Sequence, residues 1–125
     1  MTTLTKTIQK RIASRGYAFN GLVELIRNEP NARIHLLATA LVLILGISLH
    51  ISLMDWLLVI MAICLVFAAE LFNSGLEKLS DFVQPERDPR IRSIKDMAAA
   101  AVLLIAVMAI AIGLYVFIPY LIWLL

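Results

Sequence analysis

The chain has 125 residues, 62% of them hydrophobic, and a formal net charge of +2. This length sets one domain, and the mean hydropathy of +0.91 is far above that of a soluble globular domain. Its single cysteine, Cys64, excludes an intrachain disulfide and a cysteine-based metal cluster; no nucleic-acid partner is expected.

Residues 5–28 predict an amphipathic helix. Ile8, Ile12, Phe19, Val23 and Ile26 fall within about 60° on a helical wheel, with Leu22 alongside. Lys6, Lys10, Asn20, Glu24 and Arg27 lie off that stripe, and Arg15 sits at its edge, placed to snorkel. The segment is too charged to span a bilayer, so it is expected to lie on the inner membrane surface. Pro30 disfavours helical geometry at Glu29, so the helix breaks at Glu29-Pro30-Asn31. Arg33 and His35 follow at the mouth of the first span.

Three apolar stretches, near 34–53, 54–79 and 97–125, approach or exceed the ~20 residues that cross a bilayer core. The first begins too late for a signal peptide, and no small-residue cleavage site ends it. All 11 Lys and Arg lie before the first span or around the junction of the second and third. The junction between the first and second spans has Asp55 as its only charge. The positive-inside rule therefore expects a cytoplasmic N-terminus and an outer C-terminus. Trp56, Tyr115, Phe117, Tyr120 and Trp123 then gather toward the outer interface, with His50 as an interfacial histidine. The fold class is all-α: a surface helix followed by three transmembrane helices.

The second span carries Glu70, Asn73 and Glu77, with Asp81 just beyond. These four fall within about 80° on a helix. Acids inside a membrane are costly and mark functional sites. Glu70 and Glu77 lie about 10 Å apart along the axis, too far to share one ion without a partner group. That separation suits a division of roles, with one acid on a metal and one on a substrate proton. Residues 83–93 read as a loop with two prolines. Ser93-Ile94-Lys95-Asp96 fits a capping box ahead of the third span. The alanines at 98–101 then permit close helix approach, and Gly113 and Pro119 are expected to loosen the outer end.

Mg²⁺ takes oxygen ligands, often one or two carboxylates plus substrate phosphates. Glu29 and Glu77 are candidates, and Lys95 with the junction arginines can offset phosphate charge. The sequence contains no Walker motif, GxGxxG or kinase catalytic loop. An ion-coupled transporter also uses membrane carboxylates. Against it, no comparable polar path continues to the outer side.

The stretch Ala69-Glu70-Leu71-Phe72-Asn73-Ser74-Gly75-Leu76-Glu77, then Asp81, then Lys95-Asp96-Met97 and the alanines, resembles the prokaryotic diacylglycerol kinase family, which includes undecaprenol kinases. Gly16-Tyr17, Gly21-Leu22 and Asn28-Glu29 match its N-terminal region. The resemblance implies an inner-membrane lipid kinase that moves the γ-phosphate of Mg-ATP to diacylglycerol, with undecaprenol as the alternative acceptor. It implies Glu70 as catalytic base supported by Asn73, and Glu29 and Glu77 as metal acids. Lys10, Tyr17, Glu29, Glu77, Glu86, Lys95 and Asp96 become ATP contacts; Glu70, Ala99 and Arg33 become lipid contacts. The family assembles as a homotrimer with shared sites. Lys10 and Asp88 depart from the arginine and histidine frequent in the family. Asn31-Ala32-Arg33-Ile34-His35 resembles its undecaprenol branch.

Overall fold

A computed structural model describes the backbone of residues 3–124 and the side chains of residues 16–124. Among the described residues the chain forms four helices, α1 (Thr3–Asn28), α2 (Pro30–Ser48), α3 (Leu53–Val83) and α4 (Pro89–Leu124), and no strand. By length and composition α2, α3 and α4 can each cross a membrane. The apolar positions Ile8 and Ile12, together with Arg15, have side chains outside the described residues.

The break between α1 and α2 falls where Pro30 demands it. Glu29 is extended, at φ −105° and ψ 116°, and Pro30 occupies the first turn of α2, where its missing N–H costs nothing. Arg33 reaches back across this corner. Its Nε donates to Ile26 O at 3.0 Å and its Nη2 to Arg27 O. Those carbonyls close α1 and would otherwise lack partners. Among the described side chains of α1, Leu25 is the one that buries, at 2% exposure, and Glu24 pairs with Lys78 of α3 at 2.6 Å. Of the apolar stripe, Phe19, Leu22 and Val23 are exposed, as a lipid-facing surface requires.

The turn between α2 and α3 has a backbone reason for its residues. His50 N donates to Ile47 O at 3.2 Å and Ile51 N to Gly46 O at 3.3 Å, the paired bonds of a Schellman motif. His50 takes the left-handed position, at φ 51°. The glycine at position 46 lies against Trp56, leaving no room for a side chain. Ser52 then caps α3: its Oγ accepts from Asp55 N and donates to Asp55 Oδ2. Tyr120 of α4 closes the cluster, its hydroxyl accepting from Ser52 N at 3.0 Å and donating to Asp55 Oδ2 at 2.6 Å. Beneath it, Ile51, Val59, Val116 and Phe117 form the buried core, flanked by Trp56.

α4 differs from expectation at both ends. It begins at Pro89, a turn before Ser93, so Ser93 lies inside the helix and its capping box is not the start signal. Asp88 is the cap instead. Its Oδ1 accepts from Arg90 N at 2.8 Å, and its carbonyl takes the first helical bond, from Arg92 N; Pro89 at the first helical position is pre-set for this. At the other end the helix runs through Gly113 and Pro119 to Leu124. Proline removes one backbone donor, and the packing of Val116, Phe117 and Tyr120 on either side holds the helix across it. The alanines at 98–101 do not form a common contact. Ala98 shares the inward stripe with Ile91, Lys95 and Val102, whereas Ala99, Ala100 and Ala101 are exposed, because a 3.6-residue period puts one face inward.

Candidate active site

The inward stripe of α3 runs Val59, Ala62, Val66, Glu70, Ser74. These positions recur every three or four residues and pack against the rest of the chain. Its first three members are apolar. The next two carry a carboxylate and a hydroxyl into the same buried line, Glu70 at 3% exposure and Ser74 at 6%. Both meet the α1–α2 corner. Ser74 Oγ donates to Glu29 Oε1 at 3.1 Å, and His35 Nε2 of α2 lies 3.1 Å from Glu70 Oε1. The histidine approach is within ion-pair distance but misaligned for a hydrogen bond, so Glu70 Oε1 is buried with no hydrogen-bond donor.

One turn along α3, Asn73 Nδ2 donates to Glu77 Oε1 at 3.3 Å, and Asn73 Oδ1 is buried with no partner. Glu70, Asn73, Ser74 and Glu77 thus share one helix face, and Ser74 draws Glu29 onto it. Among the described residues no three metal-binding side chains converge. The donor set is two carboxylates, Glu29 and Glu77, held on one face by neighbours that leave each an oxygen uncommitted in these bonds. That set fits a hard cation that completes its shell with phosphate and water.

His35 also opens onto an apolar cavity of about 330 Å³ between α2, α3 and α4. Val59, Ala62 and Val66 line it from α3, Ala106 and Ala109 from α4. It thus continues along the stripe that holds Glu70. Beyond Asp81 lies a polar cleft of about 650 Å³, lined by Asp81, Glu86, Arg87, Arg92, Lys95 and Asp96 among others. Lys95 Nζ pairs with Asp81 Oδ1 there, and Arg92 lies 3.9 Å from Asp96. At the rim, the side chain of Arg90 and then its backbone N–H hold Asp88 down to about 2. Lys78 lowers the Glu24 carboxyl, first by its hydrogen bond and then by its charge.

The expected site residues therefore fall into groups. Glu70, Asn73 and Glu77 lie on one face of α3, and Glu29 reaches that helix at Ser74. Lys95, Asp96 and Glu86 line the cleft. Tyr17 is 74% exposed on α1, Ala99 is exposed on α4, and the Arg33 guanidinium is engaged on the carbonyls that end α1. The Lys10 side chain lies outside the described residues. Sequence reasoning gave no separate role to Ser74 or His35, and placed Asp81 on the polar face without assigning it a partner. The spacing 59-62-66-70-74 carries the signal for Ser74; the His35 contact joins different helices, with no trace in local spacing.

Chemically, a buried carboxylate beside an apolar cavity can hold a proton acceptor against an amphiphile's polar end. Two further acids and a cleft with Lys95, Arg87 and Arg92 can hold a cation and a polyphosphate. Phosphoryl transfer requires such positioning and charge neutralisation.

The profile of the family described as "Prokaryotic diacylglycerol kinase" matches residues 16–117. The chain is 34% identical to an undecaprenol kinase of Bacillus subtilis over 103 residues, 82% of this chain and 84% of that protein. It is 31% identical to a diacylglycerol kinase of Synechocystis over 103 residues, 82% of this chain and 59% of the relative. A diacylglycerol kinase of Escherichia coli strain K12 is 28% identical over 110 residues, 88% and 90% of the two chains.

Proposed function

We propose that this chain, which belongs to the prokaryotic diacylglycerol kinase family and is a multi-pass membrane lipid kinase, transfers the γ-phosphate of Mg-ATP to the terminal hydroxyl of undecaprenol. The observation that carries the kinase site is Glu70, 3% exposed on the α3 stripe and joined through His35 to an apolar cavity. The 34% identity to an undecaprenol kinase and the residues at 31–35 support undecaprenol as the first reading. Diacylglycerol, which would give phosphatidic acid, is the second reading. It is favoured by the family description and by the two relatives that bear that name.

In this reading Glu70 accepts the proton of the lipid hydroxyl, and Asn73 orients Glu77 beside it. Mg²⁺, when bound by Glu29, Glu77 and phosphate oxygens, would offset the charge that gathers on the transferring group. Lys95, beside the polar cleft, turns from Asp81 to the phosphates, and Asp96, Glu86, Tyr17 and Lys10 complete the nucleotide contacts. Ala99 and Arg33 border the lipid. The molecule acts as a homotrimer in the inner membrane, because three helices alone leave this polar face poorly shielded from lipid.

The test is transfer of label from γ-labelled ATP in mixed micelles, with undecaprenol and diacylglycerol supplied separately. Label is expected in the undecaprenol fraction first. Transfer to diacylglycerol alone makes the second reading correct, and ATP turnover independent of either lipid overturns both. Orientation is checked by a reporter fused after Leu125, expected to be active only when exported; the trimer is checked by native mass.

A further inference from the structure

Glu70 faces a difficulty that its surroundings must resolve. A base that takes a proton in every cycle must also release it before the next. The Glu70 side chain is only 4% exposed, so water does not reach it freely. Its neighbours on the stripe offer no exit. Val66 is apolar, the Asn73 amide does not take up a proton near neutral pH, and Ser74 is committed to Glu29. Among the described residues the basic side chain within 4.0 Å of the carboxylate is His35, at 3.1 Å. Its own side chain is 25% exposed, so it is far less enclosed than the carboxylate it faces.

Other groups facing His35 are few. α3 presents Glu70. α4 presents, across the shared cavity, Ala106, Ala109, Ile110, Ile112 and Gly113, none of which titrates. On its own helix lie Ala38 and Thr39 in the cavity and Arg33 two residues back, whose guanidinium is engaged on α1. An imidazole nitrogen can take up a proton and release it again, as a relay requires. The misalignment of the contact also has a use. It leaves Glu70 Oε1, a buried oxygen, without a hydrogen-bond donor, so its lone pairs are uncommitted.

We propose that His35 is the proton exit of this site, a positioning and relay residue that acts through Glu70. The inference rests on the kinase reading above. In the transfer, the lipid O–H bond breaks as its oxygen bonds to the γ-phosphorus. The bridging oxygen leaves on ADP with the electron pair of the broken P–O bond. The hydroxyl proton goes to a Glu70 carboxylate oxygen, then to His35 Nε2, and from the imidazolium to water.

The experiment uses the full-length protein in mixed micelles with two variants. His35→Gln keeps hydrogen bonding and loses basicity; it should lower turnover at saturating ATP and lipid by about 10²-fold, with both KM values within about threefold of wild type. His35→Ala should lose turnover similarly and regain it with added imidazoles, faster as the imidazole becomes more basic. Near-normal turnover in His35→Gln overturns the proposal. So does a loss that no imidazole restores, or a rescue indifferent to basicity, since a side chain that only fills space gives those results. If neither variant folds, wild-type turnover in mixtures of light and heavy water decides: more than one proton in flight is expected, and rates indifferent to heavy water, or a single-proton inventory, overturn the relay. Absence of lipid-dependent turnover in the wild type overturns the kinase reading itself, a result distinguishable from all of these.

Discussion

Replacing Ser74 with alanine removes one oxygen from a buried position and changes little else. That oxygen donates to Glu29 Oε1 at 3.1 Å and is the bond that draws the α1–α2 corner onto α3 at this point. Ser74 is 6% exposed, so water does not readily take its place. A hydrogen bond to a charged group contributes about 1.5–3 kcal/mol, and each 1.4 kcal/mol is about tenfold in a binding constant. If the bond serves to place Glu29 for a cation, the Mg²⁺ concentration giving half-maximal rate should rise about 10- to 100-fold in Ser74→Ala. The KM for the lipid should change little. The assay is initial rate of lipid-dependent ATP consumption against free Mg²⁺ at saturating ATP. Ser80→Ala is the matched control, also a serine at 6% exposure on α3 but away from Glu29. An unchanged Mg²⁺ dependence in Ser74→Ala, or an equal shift in Ser80→Ala, refutes the reasoning.

The remaining predictions concern other parts of the molecule. Glu77→Gln should depress Mg²⁺-dependent turnover severely, since an amide replaces a carboxylate poorly, whereas Glu24→Gln, at an exposed acid outside the site, should cost much less; equal losses remove the case for Glu77. Gly46→Ala should destabilise by about 1–3 kcal/mol, because the added Cβ would sit 2.8 Å from the rigid Trp56 ring and 3.2 Å from Ile51. Thermal unfolding in detergent measures it, and an unchanged melting temperature contradicts it. Asp88 is held at about 2 against an ordinary 3.8, so its capping contribution is fully present above pH 3.8 and is lost as pH falls through about 2. Hydrogen-exchange protection factors at residues 90–92, corrected for the intrinsic pH dependence of exchange, should fall as pH drops across that window and stay level above it, and Asp88→Ala should show low protection throughout.

Much of this was legible from the sequence. Helix spans depend on long apolar runs, and those runs are plain. The polar face of α3 was legible because Glu70, Asn73 and Glu77 interrupt such a run at helical spacing. The Pro30 break was legible because proline constrains its predecessor locally. What was hidden depends on contacts between helices. Nothing near Tyr120 in sequence announces that its hydroxyl bridges Ser52 and Asp55, 65 or more residues away. The same holds for His35 with Glu70 and Ser74 with Glu29. The capping-box pattern at Ser93 misled, because the helix starts earlier, at Pro89, where proline at the first position gives up no hydrogen bond and Asp88 caps it. The run of alanines misled because four consecutive small residues cannot share one helix face.

The central claim is that Glu70 is the proton acceptor in transfer of phosphate to a lipid hydroxyl. Glu70→Gln preserves size and hydrogen bonding while removing basicity. The decisive measurement is label transfer from γ-labelled ATP to saturating lipid alcohol, run beside nucleotide binding to the same preparation. The account predicts a fall in turnover of about 10²- to 10⁴-fold with ATP affinity nearly unchanged. Near-normal turnover in Glu70→Gln would contradict it.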